Sequence, residues 1–246
     1  MKRPKIILFD YGQTIMEEGV FNNRRGNEAV LALAKNNPYH VTSEKLQELA
    51  GKLMNEIQKG IGAEDRNRQI LEMPATAFDK YLYEYFGIEF DVEMEQVQWT
   101  FWSQAIAEHC HLTRGIEELL EWLWQQGIRT AVVSNMMNSS RLLKKHIDQH
   151  LPNHHFEFIL TSADYMFRKP SRMLFELAVQ KSGLLPEDIW FCGDNFVCDI
   201  EGAGQCGMTP VWYTAYTDDL PHMTENISYI QITDWKQLRE RIEKLP

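Results

Sequence analysis

Ile6-Ile7-Leu8-Phe9-Asp10-Tyr11-Gly12-Gln13-Thr14 is the stretch on which the fold turns. Apolar residues run straight into a carboxylate, followed by a glycine and a hydroxyl. An apolar run this short, bounded by a turn signal, is the pattern of a strand buried on both faces. Asp10 then leaves the carboxyl end of that strand, the edge at which open parallel sheets build ligand sites. Alone, the stretch fits a plain strand and turn equally well. Three further runs end in the same way and decide between the two. They are Val133-Ser134-Asn135, Phe158 to Leu160 leading into Arg168-Lys169-Pro170, and Phe191-Cys192-Gly193-Asp194 with Asp199 behind it.

Working outward, strand patterns fall at 5–9, 129–133, 156–160, 188–192, 209–213 and 227–232. Helical patterns fall between the later ones: 115–126 with Gly127 as its stop, 139–150, 171–181 capped by Ser171, 199–205, and 235–244 at the end. A βαβαβ order predicts a mostly parallel sheet with right-handed crossovers. Residues 12–26 read as a turn and loop. From 27 to 109 the periodicity is helical throughout. Ser43 opens a helix with Leu46, Leu49, Ala50, Leu53 and Ile57 on one face, closed by Gly60 and Gly62, and two more helices are expected at 76–86 and 92–107. The predicted architecture is α/β: a Rossmann-like parallel core made of residues 1–15 and 110–246, with an all-helical cap domain inserted at 16–109. Lys45, Lys52 and Lys59 are expected on a solvated helix edge, and Trp99, Phe101, Trp102 and Trp212 in the core.

The chain has 246 residues, 44% apolar and 24% charged, with a net charge of -10. That balance argues against nucleic-acid and anionic-membrane partners, because no basic stripe offsets phosphate repulsion. It leaves room for a small phosphate ligand, which needs only a metal and one or two cations. Cys110, Cys192, Cys198 and Cys206 form no C-x-x-C pair, so they read as small hydrophobes in a reducing cytoplasm rather than a zinc or redox site. The apolar run before Asp10 is too short for a signal-peptide core, and no stretch approaches a membrane span.

The strand ends deliver three carboxylates (Asp10, Asp194, Asp199), a hydroxyl (Ser134), an amide (Asn135) and one lysine (Lys169) to one edge. Carboxylates that close repel unless a cation is present. An oxygen-only donor set of this size suits Mg²⁺, which keeps several waters and takes one or two carboxylates plus phosphate oxygens.

On these motifs the chain resembles the haloacid dehalogenase (HAD) superfamily, in its branch with a helical cap inserted after the first strand. The resemblance rests on Asp10 to Thr14, Ser134-Asn135, Lys169-Pro170, and Gly193-Asp194 with Asp199. It implies a small phosphorylated substrate and an aspartyl-phosphate formed on Asp10. It further implies Mg²⁺ bridging Asp10, the carbonyl of Gly12 and Asp194, with Ser134 and Asn135 on the substrate side. Lys169 would hold Asp10 and the phosphoryl group, and Asp199 would orient Lys169 or a metal-bound water. Read from the residues alone, Asp199 fits an N-cap of the next helix as well.

One position departs from the family pattern Asp-x-Asp-Gly-Thr. Its second Asp, the acid and base of the phosphatases, is Gly12 here. Glycine keeps the carbonyl for a metal but has no proton to give. Three readings follow. The first is a phosphatase whose acid comes from elsewhere, with Glu17, Glu18 and His40 as candidates by sequence proximity. The second is a binding protein with little turnover. The third is a carbon–phosphorus hydrolase using Lys52 or Lys59 as a Schiff base. Carbon–halogen cleavage is opposed by Asp194. On this reading Gly12→Asp is expected to raise phosphatase activity.

Overall fold

The computed structural model describes residues 2–61, 66–106, 110–217 and 227–246. In chain order the elements begin with β1 (Ile6–Phe9), β2 (Met16–Glu18), α1 (Asn23–Leu33), β3 (Ala34–Asn36), α2 (Ser43–Ile61), α3 (Ala75–Tyr85), β4 (Glu89–Phe90) and α4 (Met94–Ile106). They continue with β5 (Cys110–Leu112), α5 (Ile116–Gln125), β6 (Arg129–Ser134), α6 (Ser140–His150), β7 (Phe156–Thr161), α7 (Ser162–Tyr165) and α8 (Arg172–Ser182). The last are β8 (Ile189–Gly193), a π-helical turn at Phe196–Glu201, α9 (Gly202–Gln205), β9 (Thr209–Tyr213), β10 (Ile230–Ile232) and α10 (Trp235–Glu243).

Six strands form one sheet in the order β10-β9-β8-β1-β6-β7, and every pairing in it is parallel. β1 lies between β8 and β6, with Phe9 opposite Cys192 on one side and Val132 on the other. All four residues of β1 have no solvent exposure. Their side chains alternate between two cores, as the pleat requires. Ile7 and Phe9 pack with α5, α6 and α10 through Leu123, Ile147, Trp235 and Leu238. Ile6 and Leu8 pack on the opposite face with α8 through Leu174, Phe175 and Ala178. Each fully buried Leu or Ile contributes about 1.5–3 kcal/mol, so both faces of β1 are fixed against slipping.

α1 to α4 surround a separate cluster of Val30, Val41, Leu46, Leu82, Tyr83, Ile88 and Val97. Gly26 lets α1 cross α4 closely: a Cβ there would stand 2.8 Å from the Phe101 ring and 2.9 Å from its carbonyl. The predicted apolar face of α2 is in place, with Leu46 buried and Leu49, Ala50 and Leu53 packed against the cluster. That helix runs through Gly60 to Ile61, while Gly62 and Ala107 lie outside the described residues. Lys45, Lys52 and Lys59 are exposed; Lys52 and Lys59 pair with Glu48 and Glu56 on their own helix.

Two antiparallel pairs are additions to the sequence-based expectation. β3 pairs β4 within the helical segment, and β2 pairs β5 where the chain leaves and re-enters the core. Strands of two or three residues carry too little periodicity to be read. The strand expected at 227–232 is confined to Ile230–Ile232. Trp212 is buried against Phe196 and Ile200, as expected of a core residue. Among the described residues no helix is long and apolar enough to cross a membrane.

Candidate active site

The carboxyl ends of β1, β6 and β8 lie side by side, so the residues that follow them converge. Asp10, Gly12, Ser134, Asn135, Lys169, Asp194 and Asp199 all line one cavity of about 240 Å³. The residues expected at the strand ends therefore share one cavity, whereas Glu17, His40, Lys52 and Lys59 do not line it.

Lys169 is at the centre. Its ammonium group is 2.6 Å from Asp10 Oδ1 and 2.6 Å from Asp199 Oδ1. Lys169 is 2% exposed and Asp199 1%. Burial alone would favour the neutral amine, but the two carboxylates outweigh it and raise the lysine's pKa above its ordinary value, so it stays charged. Asn135 fixes the lysine's backbone: its Oδ1 accepts from the Lys169 N–H at 2.7 Å, and its Nδ2 donates to the Lys169 carbonyl at 2.8 Å. The side chain of Asn135 is thus committed to holding Lys169. Ser134 ends β6 and is buried beside it.

The segment after β8 is shaped around Asp199. Asn195, not Asp199, caps the following turn, accepting from the Cys198 N–H at 2.8 Å. Asp199 instead turns inward, with Oδ1 on Lys169 and Oδ2 accepting from the Asn195 N–H at 3.0 Å. Gly193 makes that possible. A Cβ at 193 would stand 2.3 Å from the Asp199 carboxyl carbon.

Carboxylate oxygens of Asp10, Asp194 and Asp199 all lie within 4.8 Å of one another. Three carboxylates face one ammonium group, which leaves an excess of negative charge. The Asp194 pKa is raised accordingly, first by burial and then by repulsion from Asp10 and Asp199. A divalent, oxygen-binding cation is the group that this excess fits. Asp199 has both oxygens engaged, so Asp10 and Asp194 are the available carboxylate donors, with Gly12 in the same cavity wall.

The turn after β1 brings a further carboxyl group to the site. Ile15 N–H and Met16 N–H both donate to the Tyr11 carbonyl, at 2.9 and 3.0 Å, and the Gln13 amide donates to the Glu18 carbonyl at 2.8 Å. The chain reverses and β2 runs back along the cavity. Met16 is buried, Glu17 exposed, and Glu18 half-buried on the cavity wall, which is the alternation of a strand. Glu18 has its pKa pushed up to about 7, mainly by burial and secondly by Asp10. His40 is exposed and does not line the cavity.

A larger cavity of about 570 Å³ adjoins, with walls from α1 to α4 and from residues 135–138 of the core. Asn27, Gln47 and Gln98 supply amides, and Phe78, Phe101 and Trp102 supply rings. Phe101 and Trp102 are therefore packed and cavity-lining at once. Asp79 accepts from Gln98 Nε2 at 3.1 Å, and burial pushes its pKa up to about 6. Beside this cavity the helical segment is fastened to the core. Glu72 accepts from Arg168 Nη1 and, at 2.6 Å, from Ser162 Oγ, while Glu72 N–H donates to the Met166 carbonyl at 2.7 Å. No sequence signal marks this junction, because Glu72 and Arg168 lie far apart in the chain without a shared motif.

A family model described as haloacid dehalogenase-like hydrolase matches residues 7–213. A ribulose-1,5-bisphosphate 5-phosphatase of Halopiger xanaduensis is 23% identical over 213 residues, 84% of this chain and 83% of that protein. The pyrimidine 5'-nucleotidase PynA of Streptococcus pneumoniae is 22% identical, over 93% of this chain and 89% of its own. Among solved structures, a HAD phosphatase from Thermococcus onnurineus superposes with a TM-score of 0.62 at 20% identity, covering 100% of this chain and 99% of that one.

Proposed function

The chain belongs to the haloacid dehalogenase-like hydrolases, and from that premise we propose that it is a magnesium-dependent phosphatase of a small phosphorylated metabolite. The observation that carries this reading is the buried Lys169 ammonium, held at 2.6 Å by both Asp10 and Asp199 with Asp194 alongside. Asp10 attacks the phosphorus of the ester, the bond from phosphorus to the leaving oxygen breaks, and an aspartyl-phosphate forms. Water then attacks the same phosphorus, releasing phosphate and restoring the Asp10 carboxylate. Lys169 holds the Asp10 carboxylate in place through their 2.6 Å contact, and Ser134 donates to a phosphoryl oxygen. Asp10, Asp194 and the Gly12 carbonyl would hold Mg²⁺, which when bound neutralises phosphoryl charge.

Residues 16–109 act in this reading as a cap domain over the site. The amides and rings of the larger cavity receive the non-phosphate part of the substrate. Lys52 and Lys59, exposed and ion-paired, give no support to a Schiff-base route, and among the described residues Lys169 is the one lysine lining either cavity. Four free cysteines, three of them buried, support a reducing, cytoplasmic setting.

Phosphate release tests the proposal, with Mg²⁺ against EDTA. The panel holds sugar phosphates, sugar bisphosphates, pyrimidine nucleoside 5'-phosphates and an activated aryl phosphate. Mg²⁺-dependent release that Asp10→Asn abolishes is expected. Absence of release from every ester would overturn the reading, and a phosphate mimic bound without turnover would replace it with a binding role.

A further inference from the structure

We propose that the Glu18 carboxyl group performs the proton transfers for which residue 12 has no side chain. This rests on the phosphatase reading and adds the identity of its acid and base.

The geometry at Gly12 points to it. A Cβ built on Gly12 would lie 2.7 Å from Glu18 Oε2 and 3.5 Å from its carboxyl carbon. The carboxyl group of Glu18 therefore occupies the volume that a side chain at 12 would enter. Glycine at 12 and glutamate at 18 are complementary: either a side chain grows from the turn, or one reaches in from β2.

The hydrogen bonding of Glu18 says that this carboxyl is not placed for structure. Its Oε1 is sealed from solvent and has no hydrogen-bond partner among the described residues. Buried polar atoms are nearly always paired, and leaving one unpaired costs stability. The fold nevertheless fixes Glu18 there through the β2–β5 pairing, Glu18 opposite Cys110, and through the Gln13 amide on its carbonyl. Thr113 holds the preceding turn, its hydroxyl donating to the Thr14 carbonyl at 2.7 Å.

Position completes the case. Among the described residues, Glu18, Asn135 and Met136 are those that line both cavities. Asn135 is engaged with Lys169 and Met136 carries no proton, so Glu18 is the group on the path from phosphoryl site to substrate body that can transfer one. In the first step protonated Glu18 gives its proton to the leaving oxygen as the phosphorus–oxygen bond breaks. In the second, the Glu18 carboxylate takes a proton from the attacking water, which returns it to its starting form.

The test compares Glu18→Gln with wild type on an alkyl phosphate and on dinitrophenyl phosphate, whose leaving group departs as an anion. Loss of a general acid should lower alkyl-ester turnover by roughly 10²-fold or more. On the aryl ester the variant should give a stoichiometric burst of dinitrophenolate followed by slow turnover, with the phosphoryl group trapped on Asp10 and seen by mass spectrometry. A second variant keeps the test independent of packing at 18. Gly12→Asp combined with Glu18→Ala returns a carboxyl group to the vacated volume and should recover alkyl-ester activity over Glu18→Ala alone. If wild type is active while Glu18→Gln retains alkyl-ester turnover, or loses both esters equally without a burst, Glu18 is not the acid. If wild type hydrolyses neither ester, the phosphatase reading itself fails.

Discussion

Asn135 holds Lys169 by both sides of its backbone, accepting from its N–H at 2.7 Å and donating to its carbonyl at 2.8 Å. The pair joins the end of β6 to the loop before α8, and so sets the height at which the ammonium group meets Asp10. Asn135→Ala removes both bonds and leaves the lysine chain free to shift by about an ångström. Misplacement on that scale can cost about 10²-fold in rate. Turnover should fall by that order while KM changes little, and Asn135→Asp, which keeps only the acceptor, should fall between the two. Equal activity in all three would mean that the clasp does not position the lysine.

Lys169 is also a structural cation. Removing it leaves Asp10 and Asp199 buried without their partner, and breaking a buried pair in this way typically costs about 3–5 kcal/mol. Lys169→Gln should unfold earlier than wild type in EDTA. It should also gain more from added Mg²⁺, because the carboxylate cluster then lacks the ammonium group that Asp10 and Asp199 share. Thermal melts with and without Mg²⁺ read this directly. A variant stabilised by Mg²⁺ no more than wild type would argue that the cluster is not the metal site.

How much of this was legible beforehand follows from what kind of order each part has. β1, β6 and β8 end in a carboxylate or hydroxyl straight after an apolar run, and such order is local, so Asp10, Ser134 and Asp194 could be read from sequence and found in one cavity. Asp199 was ambiguous because an Asp just after a strand end fits an N-cap too; only its bond to Lys169 separates the uses. Glu17 and Glu18 were indistinguishable until the short pairing of β2 with β5 turned one outward and the other in. The same pairing reverses an expectation. With Glu18 Oε2 2.7 Å from where a Cβ at 12 would sit, Gly12→Asp alone would crowd two carboxyl groups into one volume and should lower activity, not raise it. The Glu72–Arg168 junction depends on tertiary packing between distant segments and leaves no local trace.

That junction should be measurable. Glu72 is 6% and Arg168 8% exposed, and their ion pair is joined by Ser162 Oγ at 2.6 Å. Glu72→Ala strands a buried guanidinium and is expected to cost about 3–5 kcal/mol. Replacing both partners with apolar residues, as Glu72→Leu with Arg168→Met, should recover most of that loss. The double variant should nonetheless show faster proteolysis within residues 66–74 than wild type, because the fastening of the helical segment is gone while its own core is untouched. Proteolysis at the wild-type rate would show that the neighbouring backbone bonds suffice.

His146 gives the protein a pH-dependent stability. It is 3% exposed, packed between Trp99, Trp102 and His150, and its Nδ1 lies 2.6 Å from the Tyr11 hydroxyl. Burial, reinforced by His150, lowers its pKa to about 4 from an ordinary 6.5, while burial raises that of Tyr11. The neutral imidazole accepts the Tyr11 proton at Nδ1, and protonation there would place a charge where burial and the neighbouring His150 disfavour it. Because the folded pKa is depressed, the unfolded chain binds more protons between pH 6.5 and 4, and stability falls as pH drops through that window. The full loss is about 3 kcal/mol at 1.36 kcal/mol per pH unit. Urea unfolding at pH 7 and at pH 4.5 measures it. His146→Asn, which keeps an acceptor but does not titrate here, should be less stable than wild type at pH 7 and lose less on acidification. Parallel losses in the two proteins would place the acid sensitivity elsewhere, with Asp79 and the carboxylates around Lys169 the next groups to replace.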